Sequence, residues 1–154
     1  MVDANRRTPP SKRGDPDVSS ARRARDHDRI AATGTDRRRQ AQSRGLAAES
    51  WAALWLRLKG YRILARRERT PAGEIDLVAR RGTTLVAVEV KARPSLEAAL
   101  AAVSTRQRLR IARALDLVAA RDPRLAALER RLDLIAVRPW RLPIHLMDLH
   151  RETR

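Results

Sequence analysis

GEIDLVARRGTTLVAVEVKAR, residues 73–93, consists of two apolar segments joined by a short polar turn. Apolar segments of this length on either side of Arg81 and Gly82 predict a β-hairpin. The second segment, LVAVEVK, is continuously apolar, as in a strand buried on both faces, yet it contains Glu89 and Lys91. Buried charges cost several kcal/mol each unless they are paired or bind a metal. The hairpin therefore predicts a sheet with a polar site built into it.

The turn decides which acidic side chains meet. Side chains alternate along a strand, so Glu89 and Lys91 share a face. A two- or four-residue turn about Arg81 and Gly82 pairs position 76 with position 87, which places Asp76 on that face, diagonal to Glu89. A three-residue turn would place it on the opposite face. With the first geometry, two carboxylates and one ammonium converge on one patch of the sheet.

These three side chains are of the types that phosphodiester hydrolysis requires. Two carboxylates without histidine or thiolate suit Mg²⁺ or Mn²⁺, so Asp76 and Glu89 are the candidate metal ligands. A metal held there would polarise a phosphoryl oxygen and help to ionise a water. Lys91 is the candidate catalytic residue that orients this water. Lysine is rare in the chain, because only three of the 34 basic residues are lysine. The pKa of a lysine amine can be lowered by its surroundings, whereas arginine stays protonated.

A second interpretation of the same strand stays open. Glu89 and Lys91 would also fit an edge strand whose polar face meets water, where they would be ordinary surface residues. The continuous apolar character of LVAVEV argues against this interpretation.

The rest of the chain predicts one folded domain after a polar tail. Residues 1–40 contain Arg, Asp, Ser, Pro and Thr with hardly an apolar cluster, so we predict a disordered basic N-terminal tail. Residues 41–154 are predicted to form a single domain. RGLAAESWAALWLRLKGY predicts a helix that ends at Gly60. The larger apolar side chains of this helix predict its core face, with Glu49 at the edge of the buried surface; they are Trp51, Leu54, Trp55 and Leu58.

The remaining segments give the fold class. YRILAR predicts a first strand, RERTPAG a polar turn, and PSLEAALAAV a partly helical connection after the hairpin. Ser104 or Thr105 can cap a helix that runs to about Arg121 and stops before Pro123. RLDLIAVR predicts another strand and IHLMDLH a last one. This order predicts an α/β (α+β) domain, with a central mixed sheet flanked by helices.

Charge and composition restrict the partners. The formal net charge of +16 favours nucleic acid, although an arginine- and alanine-rich composition also follows from GC-rich coding. With three Trp, one Tyr and no Phe, a base-stacking platform is not expected. There is no cysteine for a disulfide or a thiolate metal site. No apolar run approaches the roughly 20 residues of a membrane span, and no signal peptide is recognisable. We therefore expect a cytoplasmic protein with no membrane partner.

GEIDLVA followed by VEVKAR resembles the core of the restriction-endonuclease-like PD-(D/E)XK superfamily. More closely, residues 44–150 resemble the bacterial YraN-like proteins, relatives of archaeal Holliday-junction resolvases. The resemblance implies that Asp76 and Glu89 bind metal and that Lys91 is catalytic. It also implies that Glu49, in GLAAE, faces the site from a helix and that Gln107, in STRQRLRIARA, lies near it, so both are further candidate catalytic residues. The chain departs from the family pattern where aromatics are common, at Ala87 and Leu132.

Three functions follow as hypotheses. The first is a Mg²⁺- or Mn²⁺-dependent endonuclease acting on DNA, including branched or structured DNA. The second is a nucleic-acid-binding protein that keeps the nuclease fold without turnover. The third, a small basic accessory protein of an RNA-rich assembly, rests on charge alone. A homodimer is a further hypothesis, because cutting two strands calls for two sites.

Overall fold

The computed structural model describes residues 39–149. The predicted tail falls almost wholly on residues 1–38, outside the described residues, and its disorder stays a prediction. Helix α1 occupies residues 39–58. The elements that follow, in chain order, are β1 (Arg62–Thr70), β2 (Gly73–Arg81), β3 (Thr84–Ala92), α2 (Leu96–Ala101), α3 (Thr105–Ala120), α4 (Pro123–Ala126), β4 (Glu129–Val137) and β5 (Ile144–Leu146).

The five strands form one mixed sheet in the order β1-β2-β3-β4-β5. β1, β2 and β3 pair antiparallel, β3 and β4 pair parallel, and β4 and β5 pair antiparallel. A parallel pair needs a crossover connection, and residues 93–128, which contain α2, α3 and α4, provide it. The predicted fold class is confirmed, because helices flank a mixed sheet as in the restriction-endonuclease-like core.

The two faces of the sheet pack against different helices. On one face, α3 buries an apolar stripe against β2, β3 and β4; we call this packing the α3 core cluster. On the other face, α1 packs against the same strands in the α1 core cluster. Because β3 is covered on both faces, Leu85 to Glu89 is buried without interruption. The strand that looked buried from its sequence is therefore central, and the edge-strand interpretation is wrong.

The predicted core face of α1 is wrong. Trp51, Leu54 and Leu58 are 60%, 45% and 73% exposed. The buried face consists of smaller residues and one leucine: Ala48, Ala52, Ala53 and Leu56. Alanines let the helix axis approach the sheet, whose own larger side chains, such as Leu77 and Ile135, fill the space between. Side-chain size therefore indicated the wrong face, and large apolar groups remain on the surface.

The first hairpin also differs from its prediction. RERTPAG was predicted as a turn, but β1 continues to Thr70 and only Pro71 and Ala72 form the turn. The Thr70 hydroxyl accepts hydrogen bonds from the backbone N–H groups of Ala72 and Gly73, both at 3.2 Å, which closes the turn. A charged, exposed segment suits β1 because it is an edge strand.

The remaining helices are capped as their sequences indicate. Ser95 caps α2, and Ser104, one of the two predicted residues, caps α3 through its hydroxyl. The last strand, β5, is shorter than IHLMDLH and comprises three residues. Within residues 39–149, no helix has both the length and the apolar character that crossing a membrane requires.

Candidate functional site

The candidate site lies where β2 and β3 stop pairing. The hairpin register runs from Arg81 opposite Thr84 to Leu77 opposite Val88, so the turn has two residues. The prediction that position 76 pairs with position 87 is therefore wrong by two residues. Extended by one pair, the observed register places position 76 opposite position 89. The parity is unchanged, so Asp76 and Glu89 still share a face.

The neighbours of the two carboxylates identify this face. Val78 follows Asp76 by two residues, Ala87 precedes Glu89 by two, and both belong to the α3 core cluster. The site is thus placed at the end of the sheet's α3 side. Asp76 and Glu89 lie one position beyond the last pair of the β2–β3 ladder.

The carboxylate of Asp76 replaces a backbone acceptor at this point. Its Oδ2 accepts a hydrogen bond of 2.8 Å from the N–H of Val90, which holds the carboxylate between the diverging strands. Burial and the neighbouring charge of Glu89 raise the pKa of Asp76 to about 6, and the charge of Glu49 adds to this. The Val90 hydrogen bond and the charge of Lys91 oppose the rise without cancelling it. A cation beside Asp76 would therefore be stabilising.

Glu89 is the most enclosed of the candidate residues, at 4% exposure. Its Oε1 accepts hydrogen bonds from Lys91 Nζ at 2.5 Å and from Gln107 Nε2 at 2.7 Å. Gln107 lies in the first turn of α3, and its backbone N–H donates to the capping hydroxyl of Ser104. The capped first turn of α3 thus fixes the position of the Gln107 side-chain amide, which donates to Glu89. The structure brings Lys91 and Gln107, from different elements, to one carboxylate oxygen.

Glu49 reaches the site from α1. It is half-buried, and its charge contributes to the raised pKa values of both Asp76 and Arg67. All five predicted site residues therefore lie at or beside the end of the β2–β3 ladder. Their geometry is compatible with the predicted roles.

Arg67 is a further charged residue at this site that was not among the predicted site residues. Its backbone has φ of +50°, in the left-handed region, on the strand next to Asp76. Its side chain donates to Glu74 Oε1 at 3.0 Å, and this bond, with the charges of Glu74, Glu49 and Asp76, raises the pKa of Arg67. Its half-exposed guanidinium is a cation beside the carboxylates.

The donor set fits a hard divalent cation. Within residues 39–149, no group of three or more His, Cys, Asp or Glu side chains is arranged to hold a metal ion. The carboxylates of Asp76 and Glu89 are the candidate donors that the site offers. Mg²⁺ is commonly bound through one or two carboxylates, with water and substrate phosphate completing its ligands. Burial, and after it the charge of Glu89, raise the pKa of Asp76 by more than Lys91 lowers it, and a bound cation would stabilise the charged form of the carboxylate.

A second buried polar cluster lies on the α1 face of the sheet. Asp133 is fully buried and accepts from Arg131 Nε at 2.8 Å and Nη2 at 2.9 Å, while His145 Nε2 lies 2.9 Å away. Burial alone would raise the pKa of Asp133, but the hydrogen bonds with His145 and Arg131 lower it. The cluster joins β4 to β5. It was not predicted, because sequence spacing does not show that residues 133 and 145 meet.

Comparison with known proteins supplies the family context. The family model described as "Uncharacterised protein family UPF0102" matches residues 48–137, a segment that contains all five candidate site residues. A UPF0102 protein of Bartonella bacilliformis is 51% identical over 109 residues, which cover 71% of this chain and 89% of that protein. A UPF0102 protein of Rhizobium etli is 52% identical over 123 residues, covering 80% and 97% of the two chains. One of Paramagnetospirillum magneticum is 50% identical over 115 residues, covering 72% and 89%.

Proposed function

The chain belongs to the uncharacterised protein family UPF0102, the YraN-like proteins, and from its site we propose that it is a Mg²⁺- or Mn²⁺-dependent endonuclease. It would hydrolyse phosphodiester bonds of DNA, including branched or structured DNA. One observation carries the proposal. Asp76, Glu89 and Lys91 meet at the end of the β2–β3 ladder, and Gln107 holds the same Glu89 oxygen that Lys91 contacts.

The two carboxylates are proposed to hold the metal. A divalent cation bound there supplies positive charge that polarises a phosphoryl oxygen and offsets charge in the transition state. Asp76 is kept in place by the N–H of Val90, and Glu89 by Lys91 and Gln107. Ligands whose rotamers are fixed by other groups lose little entropy when they bind an ion.

Lys91 is proposed to act on the attacking water. Its side chain is 20% exposed, so its ammonium reaches the surface while it donates to Glu89. An ammonium has three donors, and those that do not point at Glu89 can orient a water or a phosphate oxygen. Glu49, across the site, would accept a proton or a hydrogen bond from that water. Gln107 acts through Glu89 and is a positioning residue.

The charge of the chain favours a nucleic acid substrate. A net charge of +16 promotes association with phosphates through counterion release. Arg67 places one cation next to the carboxylates, where the scissile phosphate would lie. Since cellular DNA would be the substrate, a cytoplasmic location remains part of the proposal.

The test is cleavage of labelled linear, single-stranded, flap and four-way DNA, with Mg²⁺, with Mn²⁺ and with EDTA. We expect metal-dependent multiple-turnover cleavage by the wild type. Asp76→Asn should abolish it, whereas Asp116→Asn, at an exposed ion pair with Arg130, should not. Binding of DNA without cleavage in any metal would support the non-catalytic nucleic-acid-binding protein instead. Absence of both metal and DNA binding would leave the RNA-assembly hypothesis.

A further inference from the structure

A groove of about 810 Å³ has sequence neighbours of two candidate site residues in its wall. It lies between α1, the end of β3 and the loop that joins β4 to β5. Ala48, which precedes Glu49, and Ala92, which follows Lys91, are part of its wall. Because side chains alternate along a strand, Ala92 points to the opposite face of the sheet from Lys91, so a strand whose scissile phosphate lay at the carboxylates would pass around the end of β3 to reach the groove.

Two of the four aromatic residues of the chain line this groove. Trp51 is 60% exposed, and Trp140 is fully exposed at 103%. The backbone of Trp140 also has φ of +56°, a conformation that large side chains rarely adopt and that is strained. The fold thus holds an indole out in solvent although its burial would be favourable. Sequence composition argued against a base-stacking platform, but the fold brings two of the four aromatics to one groove.

Four arginines line the same groove: Arg44, Arg93, Arg138 and Arg141. None of its described lining residues is acidic. Arg93 and Arg138 donate to the backbone carbonyls of Ala92 and Leu142, at 2.9 and 3.2 Å. Within the part of the chain that the structure describes, no carboxylate pairs with any of the four. The groove therefore presents positive charge beside flat apolar surface.

Positive charge beside exposed aromatic surface favours an unpaired nucleic acid strand over a second copy of the chain as the occupant of the groove. A second copy of the chain, docked through the same surface, would bring arginines against arginines with no acid between them, which is repulsive. An unpaired nucleic acid strand has phosphates for the arginines and exposed π faces for the indoles. In a duplex those faces are already stacked on one another.

We infer that the groove binds an unpaired segment of the DNA strand, with a base stacked on Trp140 and phosphates held by the flanking arginines. This inference rests on the proposed nuclease function for its substrate, and it makes DNA with single-stranded ends or flaps the preferred class. The stacked base would fix the distance between the unpaired segment and the carboxylates.

The test measures binding by the full chain in EDTA, so that no cleavage occurs. The probes are a fluorescent oligo-dT of about 16 nucleotides, near the upper site size of one binding fold, and a duplex of equal length. The variants are Trp140→Ala, Trp140→Phe, which keeps a stacking ring, and Trp140→Leu, which keeps only apolar surface. Leu58→Ala, at an exposed residue of α1 outside the groove, is the control.

Trp140→Ala should weaken oligo-dT binding by roughly 5- to 100-fold, the loss expected for one stacked base. Trp140→Leu should be as weak, while Trp140→Phe should recover most of the affinity, and duplex binding should change by less than about twofold. The inference is wrong if Trp140→Leu binds oligo-dT like the wild type, or if duplex binding falls equally. It is also wrong if light scattering shows that Trp140→Ala dissociates a dimer, since a second copy would then cover the groove. Loss of oligo-dT binding in a chain that never cleaves DNA would refute the nuclease and leave the groove assignment standing.

Discussion

The carboxylate of Asp76 accepts the N–H of Val90 at 2.8 Å, at the position where the β2–β3 ladder ends. A side chain here replaces a strand carbonyl, so one acid is both part of the sheet's hydrogen bonding and part of the candidate site. This double role couples the chemistry of the site to the stability of the sheet, and it gives the first prediction.

In EDTA, the contribution of Asp76 to the stability of the wild type should fall as pH rises through its titration. The pKa of Asp76 is raised from 3.8 to about 6 in the folded chain, mainly by burial and by Glu89. The folded state therefore holds the proton more tightly, so the stabilisation is complete below about pH 4 and is lost between about pH 4 and 6. The loss is at most about 3 kcal/mol for two pKa units.

Asp76→Asn should remove this pH dependence, because the amide oxygen can still accept from Val90 without carrying a charge. Thermal unfolding at pH 4.5 and 8, with Asp116→Asn as a control, measures the effect. The variant should gain stability over the wild type at pH 8 and lose most of that advantage at pH 4.5. An equal difference at both pH values would contradict the assigned cause.

Addition of Mg²⁺ or Mn²⁺ should offset the loss of stability that ionisation of Asp76 causes at neutral pH. A cation that binds only the folded state raises stability by about 2.7 kcal/mol at a concentration one hundred times its Kd. We expect a metal-dependent rise in melting temperature for the wild type at pH 8, absent from both Asp76→Asn and Glu89→Gln. Asp116→Asn is the control, because Asp116 is engaged by Arg130 in an exposed ion pair away from the site. A metal response that survives in both ligand variants would place the ion elsewhere.

Gln107 should affect metal affinity through Glu89. Its Nε2 donates to the same Glu89 oxygen as Lys91 does. Removal of a group that orients a ligand commonly costs 10- to 100-fold in metal affinity. We expect Gln107→Ala to shift the Mn²⁺ concentration for half-maximal cleavage upward by about that factor, with the rate at saturating metal largely recovered. A residue that only supports α3 would change the melting temperature and leave this midpoint unmoved.

The sequence was sufficient to predict that Asp76 and Glu89 share a face of the sheet, but it was not sufficient to predict how α1 packs. Strand periodicity is two, so the turn needed only the right parity to place Asp76 and Glu89 on one face, and the register error of two residues did no harm. The core face of α1 could not be read from side-chain size, because alanines pack closest to the sheet. The position of Arg67 at the site depends on the pairing of β1 with β2, and the contact of Asp133 with His145 depends on the pairing of β4 with β5. No local sequence pattern indicates either pairing.

The basic residues before position 39 give another prediction about binding. Residues 1–38 contain ten Lys or Arg and six Asp, a net charge of +4. Deletion of residues 1–38 should leave the melting temperature of the remaining chain unchanged, and should weaken DNA binding most at low salt. The slope of log affinity against log salt should become less steep. A truncated chain that is unfolded would show that the tail is structural.

Lys91 gives the most demanding prediction. If its ammonium orients the attacking water, Lys91→Ala should slow single-turnover cleavage by roughly 10²- to 10⁴-fold, the usual scale of general acid–base assistance. The metal midpoint should shift no more than it does in Gln107→Ala, since lysine is not a ligand and acts on the metal only through the same Glu89 oxygen, whereas Asp76→Asn should damage metal binding and cleavage together. Lys91→Arg keeps a positive charge beside Glu89 but replaces the compact amine with a planar group that stays protonated, so it should remain impaired.

The measurement is single-turnover cleavage across a Mn²⁺ titration, with the wild type beside both Lys91 variants and with thermal unfolding as a check on folding. Because Glu89 is nearly fully buried and Lys91 Nζ is one of its donors, Lys91→Ala should also lose some stability, and Lys91→Arg should lose less. If Lys91→Arg cleaves at the wild-type rate, the residue contributes charge alone. If Lys91→Ala does so as well, the amine in this strand serves only to pair with Glu89, and another group must orient the water.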